Sequence, residues 1–303
     1  MEIFFWGVRG SIATPGPTTV RFGGNTTCVE IRDGNSFILI DCGTGIREAG
    51  TFIMKNRGMG IEIPILITHT HWDHIQGFPF FIPAFIPKNK IHMVGPSMFD
   101  TPFDQVMAAQ MQYSYFPVNF NQLGAEISYE AAQEQSLILN GFKVTPKYVN
   151  HPVRTLAYRV EKDNKVICFL TDVEPYYDVI YGGKAPEDED ELQDFLEVQE
   201  TIEEQNQGLV EFCRNADVLV IDAQYTHAEY MTKRGWGHTS MDDAVQIAHK
   251  ANARQVLFFH HDPTRHDNEL EKLLDVYRQQ VDQLTNTSIV SLGAATEGIA
   301  VKA

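Results

Sequence analysis

Short apolar runs with strand-like character dominate the first part of the chain: "EIFFWGV" (2–8), "TCVEI" (27–31), "SFILID" (36–41) and "IPILIT" (63–68). Turn residues such as "GGN" at 23–25 and "DGN" at 33–35 separate them. A helix is expected after "GTG" at 43–45. A second group of strands is predicted at "KVTPKYV" (143–149), "LAYRV" (156–160), "KVICFLTD" (165–172), "DVLVID" (217–222) and "QVLFFHH" (255–261). Helical spacing of apolar residues covers 192–214, 240–252 after the cap-like "TSMDD", and 267–284. Strands followed by helices, twice over, predict two sheets packed between helical layers. No linker or repeat divides the halves, so residues 1–303 are expected to form a single domain.

Two segments read in more than one way. Residues 187–204, "EDEDELQDFLEVQETIEE", hold ten acids and no base, the pattern of a solvated helix face. Leu192, Phe195, Leu196, Gln199 and Ile202 nevertheless form a stripe that suits packing on the body or on a second subunit, which leaves a homodimer open. The stretch around 174–214 is expected to be an acidic helical insertion. "GFPFFIPAFIP" (77–87) suits either a core-edge loop or an apolar wall beside a site or a subunit.

At 303 residues and 43% hydrophobic, the composition is that of a soluble globular protein. The net charge of −16 weighs against general nucleic-acid affinity, which rests on neutralising phosphates with Lys and Arg. Cys28, Cys42, Cys168 and Cys213 form no CxxC pair and read as reduced, buried thiols. "MEIFFWGVRG" has no secretory character, and no apolar run approaches the roughly 20 residues of a membrane span. A cytoplasmic location is expected.

The densest chemistry is "THTHWDHIQG" at 68–77, directly after a predicted strand. His69 and His71 alternate along a turn and can aim at one point, while Asp73 and His74 open the next segment and face another. Two foci of imidazole and carboxylate without thiolate suit a pair of divalent metals, Zn²⁺ first, with Mn²⁺ or Fe as substitutes. His151 in "VNHP", Asp172 in "FLTD" and His260 in "LFFHHDP" stand at predicted strand ends, where a sheet can hold further ligands. His260 and His261 compete for one role, and His260, which directly follows the apolar run, is preferred.

"HTHWDH" resembles the HxHxDH signature of the metallo-β-lactamase superfamily, and Asp41 in "LIDCGTG" resembles its earlier aspartate motif. His151, Asp172 and His260 match the remaining ligand motifs in order. The resemblance spans nearly the whole chain and implies a four-layer αββα sandwich with a dinuclear site at one edge of its two sheets. It also implies that Asp41 buttresses the ligand loop rather than binding metal. "VIDAQYT" (220–226) followed by "GWGHTS" (235–240) resembles the paired elements of ribonuclease Z and related phosphodiesterases. By position Asp222 is their acidic residue and His238 their additional histidine.

That resemblance implies a metal-dependent hydrolase. His69, His71 and His151 would bind one metal and Asp73, His74 and His260 the other, with Asp172 shared. A hydroxide bridging metals roughly 3.5–4 Å apart would attack phosphorus. Asp73 would orient the nucleophile, and His238, backed by Asp222, would protonate the leaving group. No Gly- and Lys-rich arm of the kind ribonuclease Z proteins carry is present. With the acidic tract, this shifts the expected substrate from tRNA to a small or cyclic phosphodiester, with long nucleic acid disfavoured and no membrane partner. Arg9, Arg21 and the Gly-rich backbone around 23–26 are candidate phosphate contacts. Ribonuclease Z-like RNA processing and thioester or lactone hydrolysis share the metal chemistry, and a non-enzymatic metal-stabilised sensor module is the remaining alternative.

Overall fold

The computed structural model describes residues 1–97 and 101–303. The first sheet is built from β1 (Glu2–Gly7), β2 (Cys28–Asp33), β3 (Ser36–Ile40), β4 (Glu62–Leu66), β5 (Lys90–Pro96) and β6 (Glu126–Ala132). The second holds β7 (Leu137–Leu139), β8 (Phe142–Val149), β9 (Thr155–Lys162), β10 (Lys165–Leu170), β11 (Val218–Asp222), β12 (Gln255–Phe259) and β13 (Ser291–Ala294). A last strand, β14 (Ala300–Lys302), returns to pair antiparallel with β1. The sheet orders are β14-β1-β2-β3-β4-β5-β6 and β13-β12-β11-β10-β9-β8-β7. Both are mixed: β3 through β6 and β10 through β13 pair in parallel, the remainder antiparallel.

Three apolar cores define the layers. Ile3, Phe5, Ile31, Ile38 and Leu66 of the first sheet meet Val160, Ile167, Phe169 and Val218 of the second. On the outer face of the first sheet, α1 (Ile46–Asn56) and the aromatic segment pack over Leu39, Ile63 and Ile65. Over the second sheet lie α6 (Met241–Lys250), α7 (Asp267–Asp282) and the C-terminal part of α4 (Glu189–Phe212). Between these helices are α2 (Trp72–Ile75), α3 (Phe103–Ala109) and α5 (His227–Lys233). The result is the expected αββα sandwich, its two sheets covered by helices because strands buried on both faces need apolar partners on each.

The four cysteines are buried and unpaired, and no helix among the described residues is long and apolar enough to cross a membrane. In the 77–87 stretch Phe78, Phe81 and Ala84 are core, as the core-edge reading expects, while Phe80 and Ile82 are exposed. None of the stripe on α4 is fully buried: Leu192 and Leu196 face solvent, Phe195 packs on Tyr181, and Gln199 and Ile202 are half-buried, while the buried apolar residues of this helix, Leu209 and Val210, lie beyond the stripe.

Arg9 requires a correction. Arg9 is fully buried; its Nε donates to the carbonyl of Gly23, its Nη1 to those of Asp262 and Arg265, and it pairs with Asp267. Arg21 is tied to the Asp267 carbonyl and Glu271. The N–H groups of residues 23–26 are also engaged, by Thr19, Glu297 and Thr44. Arg9 and these amides are committed within the fold and are not free to meet a phosphate, whereas Arg21, half exposed, ties the loop to the start of α7.

Candidate metal centre

The ligand loop leaves β4 at Leu66 and reaches His71, whose extended backbone (φ −61°, ψ 150°) opens the one-turn helix α2. The extended stretch before it sends His69 and His71 to one side. The helical turn then swings Asp73 and His74 towards the neighbouring point. His151 follows β8, Asp172 follows β10 and His260 follows β12. Asp172 and His260 sit in the left-handed region, at φ 51° and 58°, as does Asp41 after β3 at 63°. L-residues with a side chain rarely adopt this conformation, and here it turns each side chain back over the edge of its sheet.

The seven side chains converge. Ligand atoms of His69, His71, His151 and Asp172 all lie within 4.8 Å of one another, and so do those of Asp73, His74 and His260. Nε2 of His69 is 3.6 Å from Asp172 Oδ2, and Nε2 of His151 lies 3.9 Å from the same oxygen and 3.2 Å from His71 Nδ1. The other oxygen, Oδ1, is 3.1 Å from His74 Nε2 and 3.2 Å from His260 Nε2, while Asp73 Oδ2 stands 3.3 and 3.2 Å from those two nitrogens. Asp172 therefore turns one oxygen to each half. A tetrahedral ion with bonds of about 2.1 Å separates its ligands by roughly 3.4 Å, close to these spacings.

The far nitrogens are held in a way that leaves the inner ones as acceptors. Nδ1 of His74 donates to Asp41 (2.7 Å), that of His151 to the Gly237 carbonyl (2.9 Å), and that of His260 to Gln224 Oε1 (3.1 Å). His69 Nδ1 pairs with Thr68 Oγ1, which itself donates to Asp41. Nε2 of His69 and of His74 are buried without a hydrogen-bond partner. Buried polar nitrogens lacking partners are rare in native proteins. These two point at positions that an ion would occupy, so the residues present fit a pair of cations. Outer partners that fix the imidazole tautomer are the usual companions of metal-binding histidines.

The electrostatics agree. Burial pushes the His69 and His71 imidazoles down and takes His151 to about 4, so all three are neutral donors near pH 7. Burial would raise Asp73 and Asp172, but His74 and His260 hold Asp73 well below the carboxylate range, and His260, His74 and His69 do the same for Asp172. His74 goes the other way: burial lowers it, yet Asp172, Asp73 and Asp41 together raise it well above its ordinary value. That concentration of negative charge would favour a cation as readily as a proton.

His238 borders the cluster. Its Nδ1 lies 2.8 Å from Asp222 Oδ2, and its ring stacks on His260 with centroids 4.9 Å apart. Asp222 also accepts from the backbone N–H of Asp172, Gln224 and Thr239. His261, the competitor of His260, turns away: its Nε2 donates to the Ala295 carbonyl. Gly10 packs so closely on His260 that a Cβ there would lie 2.4 Å from the imidazole. Gln224, Gly10 and Glu174 were not legible as site residues, since each acts through backbone or through another side chain distant in sequence.

Comparison with known proteins agrees with this architecture. A ribonuclease Z of Haloarcula marismortui is 22% identical over 93% of this chain and 92% of its own. The metallo-β-lactamase fold protein YhfI from Bacillus subtilis superposes with a TM-score of 0.66 at 16% identity, covering 99% of both chains. A diphosphatase of the PhnP family does so at 0.62 and 18% identity, covering 99% of this chain and 97% of its own. Residues 37–184 and 200–261, which carry the ligand loop and both sheets' site-facing strand ends, match the Beta-lactamase superfamily domain, and the chain belongs to that superfamily.

Proposed function

We propose that this superfamily hydrolase is a phosphodiesterase that uses two divalent cations, Zn²⁺ or a substitute such as Mn²⁺, to cleave small or cyclic phosphodiesters. The observation that carries the reading is the His238–Asp222 pair beside the cluster. Alkoxide is a poor leaving group and needs a proton, and an imidazole backed by a buried carboxylate can donate one.

His69, His71 and His151 would hold one cation and Asp73, His74 and His260 the other, with an oxygen of Asp172 for each. When bound, such a pair supplies charge that neutralises a phosphate and lowers the pKa of water. Asp73 Oδ2, fixed by the backbone N–H of Ser11 at 2.7 Å, holds its place beside His74 and His260 and would orient the attacking water. With Nδ1 occupied by Asp222, the Nε2 of His238 is the atom that would give its proton to the departing oxygen. Asp41, through Thr68 and His74, keeps the ligand loop in register.

The net charge of −16 and the exposed acidic face of α4 oppose a long polyanion and support a small substrate. The relatives named ribonuclease Z, at 22–26% identity over 93% of this chain, favour RNA as the second reading. One screen separates the readings. Protein loaded with Mn²⁺ or Zn²⁺ is offered bis(p-nitrophenyl) phosphate, cyclic mononucleotides, precursor tRNA and thioesters at physiological salt. Turnover of the small diesters is expected. Cleavage confined to precursor tRNA would move the assignment to RNA processing, and activity on thioesters alone would overturn it.

A further inference from the structure

We propose that Glu174 is a positioning residue that sets the orientation of both His151 and His238. Glu174 stands two residues beyond Asp172 and is almost fully buried, and no cation is paired with it among the described residues. Its Oε1 and Oε2 accept from the backbone N–H of Gly235 at 2.9 and 3.1 Å, and Oε2 also accepts from Gly237 at 3.0 Å. Gly235 and Gly237 have φ of 89° and 84°, so the 235–237 turn curls its amides around the carboxylate as a nest curls around an anion.

The turn is what the site leans on. The carbonyl of Gly237 receives the Nδ1 proton of His151, and a Cβ at Gly237 would lie 2.1 Å from that nitrogen. The next residue is His238. Below the turn, Thr239 Oγ1 donates to the Val173 carbonyl, and the N–H of Glu174 donates to the Asn150 carbonyl at 2.9 Å. Glu174 thus links three segments far apart in sequence: the corner after β10 with Asp172, the loop with His151, and the turn with His238. Without its charge the nest loses its anion, the Gly237 carbonyl is free to rotate, and His151 loses the partner that fixes its tautomer.

This proposal rests on His151 being a metal donor only in its second readout. The first is the His151 Nδ1–H resonance in metal-free protein, assigned by the loss of one signal in His151→Asn. A protected signal is expected in the parent, with exchange accelerated at least tenfold in Glu174→Gln and Glu174→Ala. The second is Co²⁺ affinity by titration of its visible absorption, where a loss of roughly 10–100-fold is expected, as for other outer partners of metal ligands. Glu203→Ala, an exposed acid on α4, should change neither. Should Glu174→Ala fail to fold, Glu174→Gln decides alone. Retention of both the resonance and the Co²⁺ affinity in a folded variant would overturn the proposal. Were the parent to bind Co²⁺ yet hydrolyse no phosphodiester, the proposed function would fail and the role of Glu174 would stand.

Discussion

His238 and Asp222 are joined by a 2.8 Å hydrogen bond from Nδ1 to Oδ2, although Asp222 ends a strand and His238 follows a glycine turn. Because Asp222 also accepts from Asp172 N–H, one carboxylate orients both the proposed proton donor and the corner bearing the proposed shared ligand. Replacing His238 by Ala should lower kcat by about 10²–10⁴ for a diester with an alkoxide leaving group. For a p-nitrophenyl diester, whose leaving group needs no proton, the loss should be small. Parallel kcat measurements on the two substrates check this, and equal losses would refute a leaving-group role.

As the proposed general acid, His238 must be protonated, which fixes the sign of the expected pH dependence. Burial disfavours the charged imidazole of His238, but Asp222, with Asp172 and Asp73, outweighs burial and raises its pKa to about 9. Activity should therefore be full below the pKa and fall as pH rises through it. Two nearby cations would draw the value down towards the ordinary histidine range of about 6.5. A basic limb of kcat between about 6.5 and 9, absent from His238→Gln, is the expected profile.

Asp41 separates charge from backbone effects. Its carboxylate accepts from Thr68 N–H, Thr68 Oγ1 and His74 Nδ1, and its φ is 63°. Asp41→Ala strands buried donors and places Ala in the left-handed region, at a cost of about 3–5 kcal/mol for the lost partner and about 1 kcal/mol for the backbone. Asn tolerates that φ and keeps one acceptor, so Asp41→Asn should be the milder variant. Urea denaturation of the two proteins tests the order.

Much of this site was legible because its donors cluster in sequence or follow apolar runs. His69, His71, Asp73 and His74 share one loop, and His151, Asp172 and His260 each follow a strand that the pattern marks. The choice of His260 over His261 followed from where the run stops, and the left-handed backbone at 260 sends the two rings in different directions. Arg9 read as a phosphate contact because nothing in "WGVRGS" shows that its guanidinium will be buried against carbonyls from residues 262 and 265. Glu174 and Gln224 carry no sequence signal because their partners lie 61–63 and 36 residues away. Strands β5, β6, β7, β13 and β14 are not marked by the sequence pattern for a different reason. Most are short or half exposed, and their pairing is decided by neighbours rather than by their own apolar content.

Gly10 offers a steric test of the second half of the site. Gly10→Ala puts a methyl group 2.4 Å from the His260 ring, which Gln224 holds in place. A shift of that imidazole of about 1 Å should cost on the order of 10² in kcat. Metal content by mass spectrometry should fall from two ions towards one, with the far-ultraviolet circular dichroism unchanged.

If the proposed cations are bound, removing them should also loosen the fold. Ions bound only by the native state stabilise it by about 2.7 kcal/mol at one hundred times Kd. Chelation should therefore lower the Tm, and Zn²⁺ should restore it. An Asp172→Asn variant should show a smaller difference between chelated and Zn²⁺-loaded protein.

The three strand ends that border the cluster, at Asp41, Asp172 and His260, adopt the left-handed conformation that glycine and asparagine enter most easily. A designer wishing to retune the cation preference by exchanging donors would meet a conformational filter before any coordination chemistry. A thiolate or a longer acid installed at 172 or 260 must first accept the inverted φ. Branched or bulky newcomers would unwind the corner and carry their donor atom out of reach.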